Sequence, residues 1–175
     1  MIILRKKAAP VTTPSLIPNV IFSFVEIGIN AGLAANVTNG SGLTPAIPAL
    51  TGTHQLYTTS NGVQSTFHNN IWPRILLFTL PAVYWVNEMS FWQVTGTFSA
   101  FGIRNFTLEY SLDNLSGWTQ VPGSPTTFAQ GSNTPSNPLQ VSWNPVRAAY
   151  IRFLVTNTWG GNRIALSEVQ FAGYL

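Results

Sequence analysis

The chain has 175 residues, which is enough for one domain with a sizeable core. Hydrophobic residues make up 45% of it, and this content excludes a disordered chain. Only 7% of residues are charged, and the net charge of +3 comes from Arg5, Lys6 and Lys7, because the other five arginines balance five acidic residues. Nucleic-acid binding needs a basic face spread over the fold, so the sequence predicts no nucleic-acid partner.

The chain contains no cysteine, so disulfides and thiolate metal sites are excluded. At the N-terminus the apolar residues precede the cations and three prolines follow, which is the wrong order for a signal peptide. No run of about 18 apolar residues occurs, so no membrane span is predicted. We therefore expect a cytoplasmic product or one assembled into a virion, and an extracellular location is also compatible with the sequence.

Residues 1–19 predict an extended N-terminal arm, because Pro10, Pro14 and Pro18 interrupt a segment with little periodicity. One interpretation is a disordered tail. The other is a tether that lies on a neighbouring subunit, and it is favoured by residues 2–4, which are apolar and stand next to three cations. Under the second interpretation this arm holds together a homo-oligomer or an assembly partner.

After the arm, short apolar runs alternate with clusters of Gly, Asn, Pro and Ser, which is typical of an all-β domain. Phe106, Leu108 and Tyr110 alternate with polar residues, as in a half-buried strand. Residues 75–80 are largely apolar at both odd and even positions, so this strand is expected inside a sheet or between layers. Residues 31–35 predict one helical turn at most.

The last predicted strand changes parity. Ile164 and Leu166 share one face, whereas Val169 and Phe171 share the other. Because side chains alternate strictly along a regular strand, we expect a bulge or bend near Ser167.

Turns and long loops separate the strands. Residues 38–70 and 122–140 are long, polar and rich in Gly, Pro, Asn and Thr, and loops of this length in a compact domain are usually functional or disordered. Residues 111–114 (SLDN) predict a hairpin turn, because short polar side chains bond the backbone there. Trp118 then begins the return strand and is expected to cap one end of the core.

Several short motifs stand in order along the chain: AANVTNG (34–40), WPRILLFTL (72–80), the strand 83–92, RNFTLEYSLD (104–113) with Trp118, AYIRF (149–153) and LSEVQFAGY (166–174). In sequence and order they resemble the motifs of discoidin domains, the coagulation-factor C-type, galactose-binding-like family. The resemblance covers roughly residues 20–175 and implies an antiparallel β-sandwich, a jelly roll with ligand loops at one end. Asn39 departs from it, since the family usually has Asp there, and the family's pair of cysteines is absent.

Arg152 lies inside an otherwise apolar strand. A buried guanidinium needs a carboxylate or carbonyl groups. Glu109 and Glu168 are the candidate partners, and this structural role is favoured over contact with a ligand.

No catalytic constellation is evident. His54 and His68 stand fourteen residues apart with no acid between them, so no residue is placed to orient either ring as a general base. No nucleophile elbow, metalloprotease motif or phosphate-binding loop occurs. We predict that the chain is not an enzyme.

The resemblance implies a calcium ion at the turn that holds Asn39. Asn39 and Glu168 match side-chain ligands of the family, and carbonyl groups near Asn36 and Ser41 would complete the site. Calcium prefers several hard oxygens, and carboxylates strengthen its binding, so Asn39 in place of Asp weakens the site. The alternative is a plain turn at Asn39, with Glu168 paired to an arginine.

Residues 159–163 (WGGNR) are the most suggestive ligand segment, predicted as a hairpin loop between the last two strands. Trp159 supplies an aromatic face for a sugar ring, and Asn162 and Arg163 supply planar groups for its hydroxyls. The alternative is a structural hairpin with Trp159 packed on the core. Further candidate ligand residues are His54, Tyr57 and His68 in the first long loop and Phe101 at a turn. These four also fit purely structural roles.

The favoured function is a non-catalytic, lectin-like module that binds a glycan or polysaccharide. The alternative is a structural protein, such as a phage virion decoration or tail component of the same fold, whose N-terminal arm contacts a neighbouring subunit. A charge-poor surface suits wide subunit contacts. A third interpretation, a membrane-lipid binder, needs basic and apolar loop tips, and Arg163 beside Trp159 is thin support for it.

Overall fold

The computed structural model describes residues 13–67 and 71–175. Within these ranges the chain forms ten strands and two 3₁₀ helices. The strands are β1 (Ser15–Leu16), β2 (Ile21–Val25), β3 (Ile29–Gly32), β4 (Val63–Ser65), β5 (Arg74–Trp92), β6 (Ile103–Ser111), β7 (Thr119–Gln120), β8 (Leu139–Thr158), β9 (Ala165–Leu166) and β10 (Glu168–Tyr174). The 3₁₀ helices span Ala34–Val37 and Gly96–Phe101. No helix in the described part of the chain has the length and apolar character needed to cross a membrane.

The strands pair in two antiparallel sheets. The larger sheet has seven strands in the order β1-β10-β5-β8-β6-β7, with β2 also paired to β5. The smaller sheet has the order β3-β4-β9. The all-β antiparallel class predicted from the sequence is confirmed.

The strands β5 and β8 form a long ribbon whose regular pairing is lost between Thr79 and Tyr84. Before this break β5 pairs with β2 on its other side, and after the break it pairs with β10. Leu76 and Phe78 are fully buried and Leu77 is nearly so. The segment is therefore internal to the sheet and covered on both faces, as its unbroken apolar run predicts.

Aromatic rings from both parts of this ribbon meet in the core. The ring centroids of Phe78 and Phe171 are 5.3 Å apart, and those of Phe91 and Phe153 are 6.1 Å apart. Phe128, in the long loop before β8, stacks on Phe91 at 3.9 Å. These large rings give the core much of its buried apolar surface.

The change of parity near the C-terminus is a crossing between the two sheets. The strand β9 pairs with β4 in the smaller sheet, and β10 pairs with β5 in the larger one. Ser167 lies between them. Leu166 and Val169 are both fully buried, because each faces the interior from its own sheet.

Part of the predicted N-terminal arm belongs to the sandwich. The strand β1 pairs with β10. Ile17 is buried and donates its backbone N–H to the carbonyl of Phe171 at 2.9 Å. Residues 1–12, which carry the predicted contact with a neighbouring subunit, lie outside the described residues.

The predicted hairpin turn joins β6 to β7. Asp113 Oδ1 accepts the backbone N–H groups of Leu115 and Ser116 at 3.0 and 3.1 Å. These donors lower the pKa of the Asp113 carboxyl. Asn114 has a φ of 59°, a left-handed conformation that Asn tolerates.

Trp118 covers a charged side chain and does not cap the core. Its half-buried ring lies 4.1 Å from the guanidinium carbon of Arg152. Arg152 Nε donates to Glu109 Oε2 at 2.6 Å. Of the two acids predicted as partners of Arg152, Glu109 is the one that pairs with it. Trp118 follows the hairpin turn, and the chain returning from this turn places the indole ring over the Arg152 side chain.

We expect Phe153→Ala to lower the free energy of unfolding by about 3–5 kcal/mol, the usual cost of removing a buried aromatic ring. The Phe153 ring contacts four other phenylalanine rings. Leu115→Ala is the control, because Leu115 is 87% exposed and its truncation should change stability by no more than about 0.5 kcal/mol. Urea denaturation measures both, and equal losses would contradict the proposed core.

Candidate functional site

Four loop segments contact one another beyond the ends of β5 and β8, and we call them the loop cluster. They are residues 53–67, 93–104, 128–137 and 159–163. Gln130, before β8, donates its side-chain amide to Ser99 Oγ at 3.3 Å. Gly161, after β8, donates its N–H to the carbonyl of Ala100 at 3.1 Å. Segments that precede and follow a 20-residue strand therefore meet at the same 3₁₀ helix.

The segment 159–163 joins β8 in the larger sheet to β9 in the smaller one. The prediction that residues 159–163 form a hairpin loop is therefore wrong, because β9 pairs with β4 and not with β8. Two contacts fix the segment. Trp159 donates its backbone N–H to the carbonyl of Gly102 at 3.3 Å. Gly161 packs so closely on Phe101 that a Cβ at position 161 would overlap the ring.

Two arginines of the loop cluster lie over aromatic rings. The guanidinium carbon of Arg104 is 4.7 Å from the centre of the Trp159 ring, and that of Arg163 is 3.9 Å from the centre of Phe67. Arg163 Nη1 also donates to Gln64 Oε1 at 3.2 Å. The planar groups are thereby held in fixed orientations. Phe67 and Arg104 were not predicted from the sequence, and an aromatic residue within a polar loop was the only available signal for Phe67.

Asn162 is exposed at the tip of the segment 159–163. Trp159 is half-buried, and its Nε1 is buried without a hydrogen-bond partner among the described residues. This loop therefore carries an exposed amide at Asn162, without a hydrogen-bond partner among the described residues, and a half-buried guanidinium at Arg163, beside the partly covered indole.

Tyr57 and Phe101 lie next to this surface. The Tyr57 ring is 5.2 Å from that of Phe98, which lies 6.1 Å from Phe101. Tyr57 is almost fully buried, and burial raises the pKa of its phenol to about 12. Tyr57 therefore supports the loops from the interior, whereas Phe101 is half-buried and keeps part of its ring at the surface.

His54 joins two segments of the loop cluster. Its backbone N–H and carbonyl pair with the carbonyl and N–H of Ser136, at 2.8 and 3.0 Å. The imidazole is buried, which lowers its pKa, and Nδ1 bonds to the carbonyl of Gln55 at 2.7 Å. A neutral ring that fills the interior is a structural feature. His68, the other predicted histidine, lies outside the described residues.

The residues predicted to hold calcium lie together. The Glu168 carboxylate accepts the N–H of Gly40 at 3.0 and 3.2 Å. Ser41 Oγ bonds to the side-chain oxygen of Asn39 and, at 3.3 Å, to that of Asn36. The turn at Asn39 and the last strand are therefore neighbours in space, although 129 residues separate Asn39 from Glu168 in the sequence.

Glu168 is fully buried and has no cationic partner among the described residues. Its second donor is the Gln170 amide, which also bonds to the carbonyl of Thr38 at 2.9 Å. Burial raises the pKa of Glu168 to about 8, against the lowering effect of these hydrogen bonds. A buried carboxylate needs a countercharge or a proton.

A carboxylate without a cationic partner among the described residues, bonded to a turn in which side-chain oxygens lie close together, fits a calcium ion. Glu168 would supply the charge, and the amide oxygens of Asn36 and Asn39 with Ser41 Oγ would supply neutral ligands. No group of three or more His, Asp or Glu side chains occurs in residues 13–67 and 71–175, so such an ion would depend on neutral oxygens.

A cavity of about 270 Å³ opens beside residues 128–139. None of its lining residues was predicted as a ligand contact. The length and polarity of residues 122–140 were the only sequence signal for it.

The antiparallel sandwich, with its loop cluster and its contact between the Asn39 turn and the last strand, has the fold of discoidin-like, galactose-binding-like modules. Solved structures of family 32 carbohydrate-binding modules (CBM32) show the same fold over about nine-tenths of this chain. The fold implied by the resemblance is confirmed. No family model matches the sequence, and no curated protein matches it either.

Three solved structures illustrate the similarity. CpGH89CBM32-5 from Clostridium perfringens, in complex with GalNAc-beta-1,3-galactose, has 15% identity and a TM-score of 0.61, covering 90% of this chain and 99% of that one. The family 32 module of C. perfringens NanJ, in complex with galactose, has 14% identity and a TM-score of 0.62, covering 91% and 99%. Truncated AlyQ, with CBM32 and alginate lyase domains, has 16% identity and a TM-score of 0.55, covering 93% and 34%.

The first two structures are carbohydrate-binding modules by description, and the third combines such a module with an enzyme domain. At identities of 14–16%, these similarities establish the fold. They give no support to a virion or assembly protein, and they show no oligomer.

We expect Gly161→Ala to lower the free energy of unfolding by about 1–3 kcal/mol, because its Cβ must displace the Phe101 ring or the loop. Gly28→Ala is the matched control. A Cβ at Gly28 would meet Thr66 at an ordinary 3.4 Å, and its effect should stay within about 0.5 kcal/mol. Urea denaturation measures both variants, and an unchanged midpoint for Gly161→Ala would show that Phe101 does not fix this loop.

Proposed function

We propose that the chain is a non-catalytic carbohydrate-binding module that binds a glycan through its loop cluster. The observation that carries the proposal is the fixed segment 159–163, which presents the exposed Asn162 next to the half-buried Arg163 stacked on Phe67. The shared fold supports it, since modules of this fold have been solved with galactose and with GalNAc-beta-1,3-galactose.

The chemistry of this surface suits sugar hydroxyls. An amide both donates and accepts hydrogen bonds, and a guanidinium donates several in one plane. Because Phe67 and Gln64 already hold the Arg163 side chain, binding a sugar would immobilise little that is not already ordered. The exposed ring of Phe67 adds an apolar surface beside these polar groups.

Glycan binding and its site can be tested with three variants. A glycan array identifies the sugar, and calorimetry then measures its dissociation constant. We expect Asn162→Ala to weaken binding about 5- to 30-fold, the loss of one or two hydrogen bonds of about 1 kcal/mol each. Arg163→Lys should weaken it similarly, because it keeps the charge but loses the planar fork.

Asn144→Ala is the control, because Asn144 is an exposed asparagine of β8 outside the loop cluster. Its affinity should equal that of the wild type. Unchanged affinity in Asn162→Ala and Arg163→Lys would place the glycan elsewhere. The absence of any binding on the array would contradict the proposed function itself.

We also propose that the cluster around Glu168 binds a structural calcium ion. Its support is the buried carboxylate, which has no cationic partner among the described residues, and the turn bonded to it through Gly40, where the side-chain oxygens of Asn36, Asn39 and Ser41 lie close to one another. Bound calcium would supply the missing positive charge and tie the Asn39 turn to the last strand.

Calcium should raise the melting temperature, because an ion that binds only the folded state stabilises it, by about 2.7 kcal/mol at 100 times its dissociation constant. The measurement compares protein refolded in EDTA with the same sample in excess CaCl₂. Glu168→Gln keeps the shape and removes the charge, so its melting temperature should not respond. An equal melting temperature for the wild type in both buffers, or a calcium response that persists in Glu168→Gln, would refute this site.

A further inference from the structure

The cavity in the loop cluster has an apolar floor. It lies between the end of β5, the start of β8 and the loop that precedes β8, with a volume of about 270 Å³. Its apolar lining comes from Phe91, Phe128 and the half-exposed Leu139. Phe91 and Phe128 are stacked and fixed by the core. This floor is therefore rigid and present before any ligand arrives.

Polar groups with unused hydrogen-bonding capacity line the same cavity. Ser136 Oγ is buried and has no partner in the described part of the chain. Asn137 accepts a bond from Thr53 through Oδ1 at 2.9 Å, which leaves its NH₂ group unused. Gln130 donates through Nε2 to Ser99, which leaves its Oε1 unused. The two exposed amide groups of Asn137 and Gln130 thus offer both a donor and an acceptor, whereas the Ser136 hydroxyl lies beneath the cavity surface.

Among the described residues, no charged side chain lines this cavity. A charged ligand placed there would lose hydration without gaining a countercharge, and this loss is costly. An uncharged ligand with one apolar face and several hydroxyl groups suits both the floor and the polar groups. The volume is at the small end for ligand sites, which matches a single ring better than a chain.

We propose that this cavity is a second carbohydrate subsite, which accepts one uncharged sugar ring. The apolar face of the ring lies on Leu139 and Phe128, and its hydroxyls bond to Asn137 and Gln130. This inference rests on the proposed function, but it concerns residues other than those of the segment 159–163. Both surfaces are tied to the 3₁₀ helix Gly96–Phe101, one through Gln130 and the other through Gly161.

The test is a titration of ¹⁵N-labelled protein followed by amide chemical shifts. The uncharged probes are galactose, N-acetylgalactosamine, N-acetylglucosamine and mannose. Galacturonate is the charged counterpart, since it differs from galactose by a carboxylate at C6. We expect at least one uncharged sugar to shift the amides of Gly131, Ser132 and Asn137 saturably, and galacturonate to bind there at least 10-fold more weakly.

Two variants and a matched control locate the contact. Asn137→Ala and Gln130→Ala should each raise the dissociation constant measured at these amides about 5-fold or more, while leaving shifts at Asn162 unchanged. Asn133 lies in the same loop, is exposed and does not line the cavity. The control variant Asn133→Ala should therefore bind the sugar with the affinity of the wild type. Melting temperatures confirm that each variant is folded.

The outcomes separate this subsite from the proposed function. Shifts confined to residues 159–163 would overturn the subsite and leave glycan binding intact. Equal binding of galactose and galacturonate at Gly131, or unchanged affinity in both variants, would overturn the assignment of an uncharged ring. The absence of a saturable amide shift with any of the four sugars would overturn the subsite. If the glycan array also showed no binding, the proposed function would be overturned with it.

Discussion

A strand of 20 residues spans roughly 65 Å if it runs straight, yet the segments before and after β8 contact the same 3₁₀ helix. The loss of register between Thr79 and Tyr84 makes this contact possible, because irregular pairing bends a ribbon. The β5–β8 ribbon then faces itself across the aromatic core, where Phe91 meets Phe153. Both proposed carbohydrate surfaces depend on this bend, since a straight ribbon would hold residues 128–137 and 159–163 far apart.

The sequence was informative where burial follows a local pattern. The strand β6 was predicted from alternating apolar and polar residues, because a strand buried on one face shows this alternation. The strand β5 was predicted from a continuous apolar run, because a strand buried on both faces is apolar at every position. The closeness of Asn39 and Glu168 followed from a resemblance. The cavity and the crossing at residues 159–163 were missed, because they depend on contacts between distant loops. The bridge between His54 and Ser136 joins positions 82 residues apart and leaves no local pattern.

Three arginine side chains of this chain pack their planar guanidinium groups against aromatic rings. Arg104, Arg152 and Arg163 each lie over an aromatic ring, at 4.7, 4.1 and 3.9 Å. The charges outside the N-terminal segment balance formally, so no strong field attracts an ionic partner over a distance. Recognition must then come from contact, through hydrogen bonds and apolar faces. This agrees with an uncharged sugar as the proposed ligand.

Two small subsites on one rigid helix would have a consequence that neither has alone. A single sugar held by a few neutral hydrogen bonds gains about 1 kcal/mol from each and binds weakly. A polysaccharide that fills both subsites binds its second sugar at a high effective concentration, provided that the spacing of its sugars matches the spacing of the subsites. The hydrogen bonds from Gln130 to Ser99 and from Gly161 to Ala100 fix that spacing through Gly96–Phe101. Selection among polysaccharides would then reside in the geometry of this helix as much as in the sugar contacts themselves.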